Sequence, residues 1–195
     1  MFLATRPSRR TIERFLDASQ AVPLSYEPIG AAQRDPDGFK VDELVVTIGH
    51  GHADFDRAKA ALAAWKHFDL GWMQAIPAAP DPEPGTVVAV VIRHLGLWSL
   101  NGCRIVYRIG ERDQGTRFGF AYGTLANHAE AGEELFEVFM DPSSGDVRYR
   151  IRAASRPRAA LAWIGYPLVR ALQGRCRRHS GQAMRLTTGV GVGRS

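Results

Sequence analysis

The sequence predicts an α+β fold in which a curved antiparallel sheet of six to seven strands wraps around a long C-terminal helix. The middle of the chain is a succession of short segments that alternate apolar and polar residues between turns, as antiparallel strands do. One long helical pattern follows the last of these segments. Because the sheet must cover its apolar face, we expect this helix to pack on it.

An extra helix is predicted at residues 8–20, ahead of the sheet. Ile12, Phe15 and Leu16 share one face of it, which is the spacing of an amphipathic helix. Prolines and glycines then mark an irregular connection. We therefore assign residues 1–38 to a segment that packs on the core, outside the main domain.

The main domain is expected to span residues 39–186 and to begin with a strand, "VDELVVTI", followed by "GHGH" and a helix that carries Phe55 and Leu62. His50 and His52 raise the alternatives of a metal site or a phosphate cradle. The other histidines, His67, His94, His128 and His179, lie on separate predicted elements without metal spacing, and a phosphate loop needs a longer glycine-rich run. The pattern favours a tight strand-to-helix turn that uses the conformational freedom of glycine.

The strands that follow carry polar side chains in phase with their apolar faces. Buried tyrosine hydroxyls and carboxylates need partners, so these positions are candidates for a polar site. The predicted inward faces group Tyr107 with Cys103 and Ile105, Tyr122 with Phe118 and Phe120, Glu134 with Phe136 and Val138, and Tyr149 with Val147 and Ile151.

The chain ends in a predicted helix from Pro157 to about residue 186, with a flexible tail at 187–195. Leu172 and Cys176 belong to its apolar stripe, and Arg175 falls at the edge of that stripe. A buried arginine and a buried carboxylate each cost free energy alone, but they can pair.

Composition indicates a globular, cytoplasmic protein. Apolar residues make up 45% and charged residues 23% of the 195 residues. The longest apolar run, "VVAVVI", is too short to span a bilayer, and arginines near the start argue against a signal peptide. Cys103 and Cys176 lack metal-ligand spacing. We therefore predict no metal and no cofactor.

Positive charge is concentrated at the C-terminal end. Residues 147–195 hold eleven arginines and no acidic residue. Arg148, Arg150 and Arg152 form an outward stripe on one strand, which suits an anionic surface or simply a solvated face. Since the aromatic residues of these strands face inward, stacking platforms are missing and nucleic acid is not the expected partner.

Three long strings resemble the uncharacterised DUF1990 family, also called UPF0548. They are "RHLGLWSLNGCRIVY", "RFGFAYGTLANHAEAGEELF" and "SRPRAALAWIGYPLVRALQGR", with "VPLSYEPIGA" and "GHGHADFDRAKAAL" upstream. The resemblance covers about residues 8–186. It implies a START-like, Bet v 1-like helix-grip fold, a superfamily that includes lipid carriers, ligand-binding modules and polyketide cyclases. It brings no established reaction, and fold alone does not establish function.

The leading hypothesis is binding of a small, mainly apolar molecule in a cavity between the sheet and the last helix. One alternative is a cyclase or dehydratase that uses the same cavity with Glu134 or His128 as acid or base. The other is an adaptor that meets anionic surfaces through the arginine stripe. A structural Glu134–Arg175 ion pair stays open at this stage. The residues predicted to line the cavity are Tyr107, Tyr122, Tyr149, Glu134, Arg175 and Trp98.

Overall fold

The structure, a computed structural model, describes residues 1–110, 115–128, 130–157 and 162–189, with the side chains of the last helix from residue 171 onward. Within these ranges, eight strands form one curved antiparallel sheet with three α-helices around it. The strands are β1 (Phe2–Leu3), β2 (Lys40–His50), β3 (Met73–Ile76), β4 (Val87–His94), β5 (Leu97–Ile109), β6 (Arg117–Thr124), β7 (Glu130–Met140) and β8 (Asp146–Pro157). The helices are α1 (Arg9–Ser19), α2 (Gly51–Ala63) and α3 (Ala162–Thr188).

The strand order confirms the predicted meander. The strands lie in the order β2-β8-β7-β6-β5-β4-β3, and every neighbouring pair is antiparallel. The short strand β1, which the sequence did not predict, pairs with the start of β5. Helix α3 contacts β2 and β8 on the concave face and completes the predicted helix-grip arrangement.

Helix α1 packs on the opposite, convex face of the sheet. Ser8 caps it by accepting a hydrogen bond from the Thr11 amide at 3.1 Å. Ile12 is buried against Val91 and Leu100 of the β4–β5 hairpin. The sheet is therefore covered on both faces in this region, so an aromatic side chain of β4 or β5 can be buried on either face.

The "GHGH" segment is a strand-to-helix turn, as predicted. Strand β2 ends at His50, and α2 begins at Gly51, whose φ of 78° lies in the region that glycine tolerates. A Cβ atom on Gly49 would lie 2.6 Å from the Asp54 side chain. Both glycines are thus required by local geometry.

Both predicted ends of the last helix need correction. Pro157 belongs to β8, where it pairs with Glu130 of β7, so the helix does not start there; residues 158–161 lie outside the described ranges. At the other end α3 continues through Thr188, whose hydroxyl donates to the carbonyl of Ile48. Residues 190–195 of the predicted tail lie outside the described ranges.

None of the described helices is both long enough and apolar enough to cross a membrane.

Candidate functional site

A cavity of about 200 Å³ lies between the concave face of the sheet and helix α3. Its walls are mainly apolar, and Met73, Val90, Ile92 and Leu172 contribute to them. Polar side chains from β6, β7 and α3 line one part, among them Tyr122, Glu134 and Arg177. An apolar cavity with a few convergent polar groups is the usual form of a small-molecule site.

Glu134 is the central polar group of this cavity. Strand alternation directs it inward, and its register partner across β6 is Tyr122. The Tyr122 hydroxyl donates to Oε2 of Glu134 at 2.6 Å. Burial raises the pKa of the Glu134 carboxyl, while the Tyr122 hydrogen bond and the nearby Arg177 charge act in the opposite direction. The carboxyl is therefore biased towards its protonated form.

The arginine beside Glu134 is Arg177, and the prediction of Arg175 in this position is wrong. Arg175 is exposed, and its guanidinium lies 4.7 Å from the centre of the Trp72 ring. The cause is helical phase: Leu172, Cys176 and Arg177 face the cavity, while Arg175 is rotated away. No Glu134–Arg175 ion pair forms.

Arg177 is itself held by a carboxylate on β2. Its guanidinium lies 3.6 Å from Oδ1 of Asp42, and both side chains are largely buried. The positive charge next to Glu134 is thus partly balanced by Asp42. This arrangement leaves Glu134 with Tyr122 as its hydrogen-bond partner among the described residues.

The predicted tryptophan wall exists, but Trp72 provides it instead of Trp98. Trp98 packs with Ile12 and Leu100 under helix α1 on the convex face, because β5 turns this side chain away from the cavity. Trp72 lines the cavity, and its Nε1 donates to Nδ1 of His179 at 3.2 Å. Trp72 stands directly before β3 in the sequence "GWMQAI", so the alternation of that strand does not mark it as a cavity residue.

Of the three predicted tyrosines, only Tyr122 lines the cavity. A β-bulge adds Val106 to β5 between Ile105 and Tyr107, which turns Tyr107 to the convex face. There its hydroxyl donates to Glu133 at 2.7 Å. Tyr149 does face inward, but it is fully buried and its hydroxyl bonds the Ser180 hydroxyl at 2.7 Å, away from the cavity.

His128, the alternative acid or base, and Glu130 at the start of β7 also line the cavity. The Glu130 amide donates to Nδ1 of His128 at 3.0 Å. The Gln173 amide donates to the Glu130 carboxylate at 2.9 Å, which connects this end of the cavity to α3. A second set of titratable groups therefore lies in the same cavity as Glu134.

Both cysteines line the cavity, Cys103 from the inner face of β5 and Cys176 from the apolar stripe of α3. Burial raises the pKa of the Cys103 and Cys176 thiols. Because the thiolate is the reactive form, neither cysteine is suited to nucleophilic catalysis. Among the described residues, no group of three histidine, cysteine or acidic side chains could hold a metal ion.

The outer arginine stripe is interleaved with carboxylates. The contacts are Arg148 to Asp146 at 3.5 Å, Arg150 to Glu43 at 3.2 Å and to the buried Glu137 at 3.3 Å, and Arg152 to Asp35 at 2.6 Å. These contacts offset much of the positive charge of the stripe, so the stripe is a poor surface for an anionic partner.

Comparison with known proteins finds one matching family model and several similar sequences. The model of the family described as "Domain of unknown function (DUF1990)" matches residues 25–183. A UPF0548 protein of Dictyostelium discoideum is 32% identical over 192 residues, which covers 89% of each chain. One from Arabidopsis thaliana is 34% identical over 153 residues, covering 77% of this chain and 74% of the relative.

Solved structures resemble the fold at low sequence identity. The di-domain ARO/CYC protein StfQ of the steffimycin biosynthetic pathway aligns with a TM-score of 0.54 at 9% identity, over 85% of this chain and 55% of its own. A hypothetical protein from Helicobacter pylori aligns with a TM-score of 0.52 at 12% identity, over 84% of this chain and 95% of its own. At these identities the likeness concerns the fold alone.

Proposed function

The chain belongs to the DUF1990 family, and we propose that it binds a small, mainly apolar molecule with one oxygen acceptor in the cavity between the sheet and α3. The observation that carries this proposal is the Glu134 carboxyl, which lies in an apolar cavity and is bonded on one oxygen by Tyr122. A protonated carboxyl can donate a hydrogen bond to a ligand oxygen. Tyr122 and Glu134 would orient the ligand, and Trp72 would supply an apolar wall.

The volume of the cavity limits the size of the ligand. At about 200 Å³ it exceeds an engineered apolar cavity of about 150 Å³ that binds benzene. It is smaller than the roughly 300–1,000 Å³ typical of sites for drug-sized molecules. A compound with one or two rings, or an aliphatic molecule of similar size, therefore fits best without rearrangement.

Acetophenone, ethylbenzene and benzoate form a probe set that tests both size and polarity. Isothermal titration at neutral pH should show acetophenone binding about three- to ten-fold more tightly than ethylbenzene, since one hydrogen bond is worth about 0.5–1.5 kcal/mol. Benzoate should bind more weakly than acetophenone, because its charge would be buried beside a carboxyl. Native mass spectrometry of freshly purified protein, followed by denaturing extraction, would identify a co-purified ligand.

Two variants of Glu134 separate hydrogen bonding from packing. Glu134→Ala should remove the preference for acetophenone over ethylbenzene. Glu134→Gln keeps a donor and should retain the preference but lose its pH dependence. In the wild type the preference should weaken as pH rises through the raised pKa of Glu134, because ionisation removes the donor. A preference that survives in Glu134→Ala would contradict the proposal.

A second candidate is an enzyme that eliminates water from a β-hydroxyketone in the same cavity. Such a reaction needs an acid that protonates the leaving hydroxyl and a base that removes the α-proton. A carboxyl with a raised pKa suits the acid, and His128 and Glu130, which line the same cavity, are the candidates for the base. Turnover that disappears in Glu134→Gln while acetophenone still binds would favour this candidate over binding alone.

A further inference from the structure

We propose that the tip of the β4–β5 hairpin docks the protein on an anionic lipid surface. This apolar tip consists of Leu95 and Leu97 at the turn, with Phe2 of β1 beside them. Their exposed fractions are 75%, 47% and 63%. The Phe2 ring stacks on His94, at 5.7 Å between centroids, and His94 is the register partner of Leu97, so Phe2 lies beside the turn. Soluble proteins rarely group large apolar side chains on the surface without a partner.

The backbone of the tip supports the same conclusion. Strands β4 and β5 pair up to His94 and Leu97, so only Leu95 and Gly96 form the turn, with φ values of 49° and 78°. Asparagine or glycine is the usual residue at such a position, and a leucine there is disfavoured. Since Leu95 is also exposed, folding does not explain this choice, whereas insertion into a lipid surface does.

Basic and aromatic residues lie directly behind the apolar tip. The guanidinium groups of Arg6 and Arg93 lie 5.7 and 6.0 Å from the ring centre of Trp98. Both arginines are exposed and Trp98 is half-buried. Tryptophan is enriched at the headgroup level of membranes, and arginine is attracted to anionic lipids. A tryptophan and two arginines beside an exposed apolar tip therefore suit the interface of an anionic membrane.

The two arginines nearest the tip carry positive charge that no neighbouring carboxylate offsets. Arg6 and Arg93 form no ion pair with any described residue, whereas Arg9 and Arg108, farther from the turn, pair with Glu13 and Glu83. This differs from the arginine stripe on β8, where carboxylates alternate with the arginines. The charge near the tip therefore complements an anionic surface much better than the stripe does.

A narrow projection of three side chains suits penetration into lipid better than docking on a flat protein surface. Phe2 and His94 also line the cavity, so docking would turn this part of the cavity towards the lipid. Uptake of a ligand from the membrane would follow only if the proposed binding function is correct. The docking itself does not depend on it, and its test needs no ligand.

The test is co-sedimentation of the full chain with vesicles of phosphatidylcholine alone and of phosphatidylcholine mixed with phosphatidylserine. Leu95→Asn should lower the partition coefficient on the mixed vesicles about ten-fold, since burial of one leucine is lost. Asparagine accepts the positive φ, so the variant should fold normally. Leu186→Asn is the matched control: Leu186 is 74% exposed but lies on α3, and its loss should change nothing.

Charge variants test the second part of the proposal. Arg93→Gln should reduce binding to the mixed vesicles about five-fold and weaken its salt dependence. Wild-type protein that binds no vesicle, or binds both kinds equally, would overturn the proposal, as would unchanged partitioning of Leu95→Asn. A dimer in solution that Leu95→Asn abolishes would assign the tip to a second copy of the chain and would also overturn it.

Discussion

Glu133→Ala is expected to lower the free energy of unfolding by about 4 kcal/mol, as the loss of a buried, fully hydrogen-bonded charge does. Glu133 is 2% exposed and accepts four hydrogen bonds on the convex face of the sheet. They come from the hydroxyls of Tyr26 and Tyr107 at 2.6 and 2.7 Å, and from the amides of Gly30 and Ala32 at 2.9 and 3.0 Å. The truncation would leave these donors buried without an acceptor.

Glu133→Gln separates the hydrogen-bond geometry from the packing of the side chain. Each oxygen of Glu133 accepts one backbone amide, from Ala32 on Oε1 and from Gly30 on Oε2. Either orientation of a glutamine amide would therefore place its NH₂ against a backbone N–H. We expect a loss of about 2 kcal/mol, because one buried donor is left unsatisfied.

Glu134→Gln is the matched control for this prediction, measured by urea unfolding at neutral pH. It makes the same chemical change at the adjacent residue, whose carboxyl has a single hydrogen-bond partner and a raised pKa. We expect no loss of stability. Equal destabilisation by the two glutamine variants would show that Glu133 does not act as an acceptor for this segment.

The contrast between these neighbours shows what strand alternation can predict. Alternation correctly placed Glu134 on the inner face with Phe136. The same alternation directs the adjacent Glu133 to the opposite face, where solvent would be expected. A segment that local sequence identifies only as an irregular connection, with Tyr26 and a short turn at Ala31–Gln33, folds over that face and buries Glu133. Burial by a segment about a hundred residues away leaves no trace in a local pattern.

The errors in the predicted site arise from small shifts of phase. One extra residue in β5, Val106, turns Tyr107 to the other side of the sheet, because side chains alternate with a period of two. On α3, Arg175 and Arg177 are two positions apart, which is a rotation of about 200° around the helix axis. A shift of one or two residues does not change whether a strand or helix is predicted, but it reverses the predicted direction of a single side chain.

The position of Trp98 shows a third limit of prediction from sequence. A strand in a sheet that is covered on one side has a single apolar face, but α1 also covers the convex face near β4 and β5. Apolar residues on both sides of these strands then make inner and outer positions indistinguishable by hydropathy. The assignment of Trp98 to the cavity was wrong for this reason, although the fold itself was predicted correctly.

His67→Leu is expected to remove a large part of the acid sensitivity of the fold. His67 is fully buried in the turn Lys66–Phe68, with ring centroids 4.5 Å from both Phe68 and Phe136. Neither of its ring nitrogens has a hydrogen-bond partner in the described part of the chain. Burial lowers its pKa from 6.5 to about 3, so the imidazole is neutral in the folded protein.

The direction of the pH effect follows from the difference between the pKa of His67 in the unfolded chain and in the folded protein. The unfolded chain takes up a proton at His67 near pH 6.5, while the folded protein does so only near pH 3. The stability that His67 permits is therefore fully present above about pH 6.5 and is lost as pH falls towards 3. The slope is about 1.4 kcal/mol per pH unit within this window. In His67→Leu this slope should be absent.

Two further variants make the measurement specific. His52→Leu changes an exposed histidine and should keep the wild-type slope in urea unfolding between pH 7 and pH 4. Glu134 contributes with the opposite sign, because a raised carboxyl pKa stabilises the fold as pH falls. The double variant His67→Leu with Glu134→Gln removes both contributions. The contradicting result would be a His67→Leu variant that stays folded and keeps the wild-type pH dependence of the free energy of unfolding. The imidazole would then be in contact with solvent or with a hydrogen-bond partner in the wild type, and the core around Phe136 would have to open to allow that contact.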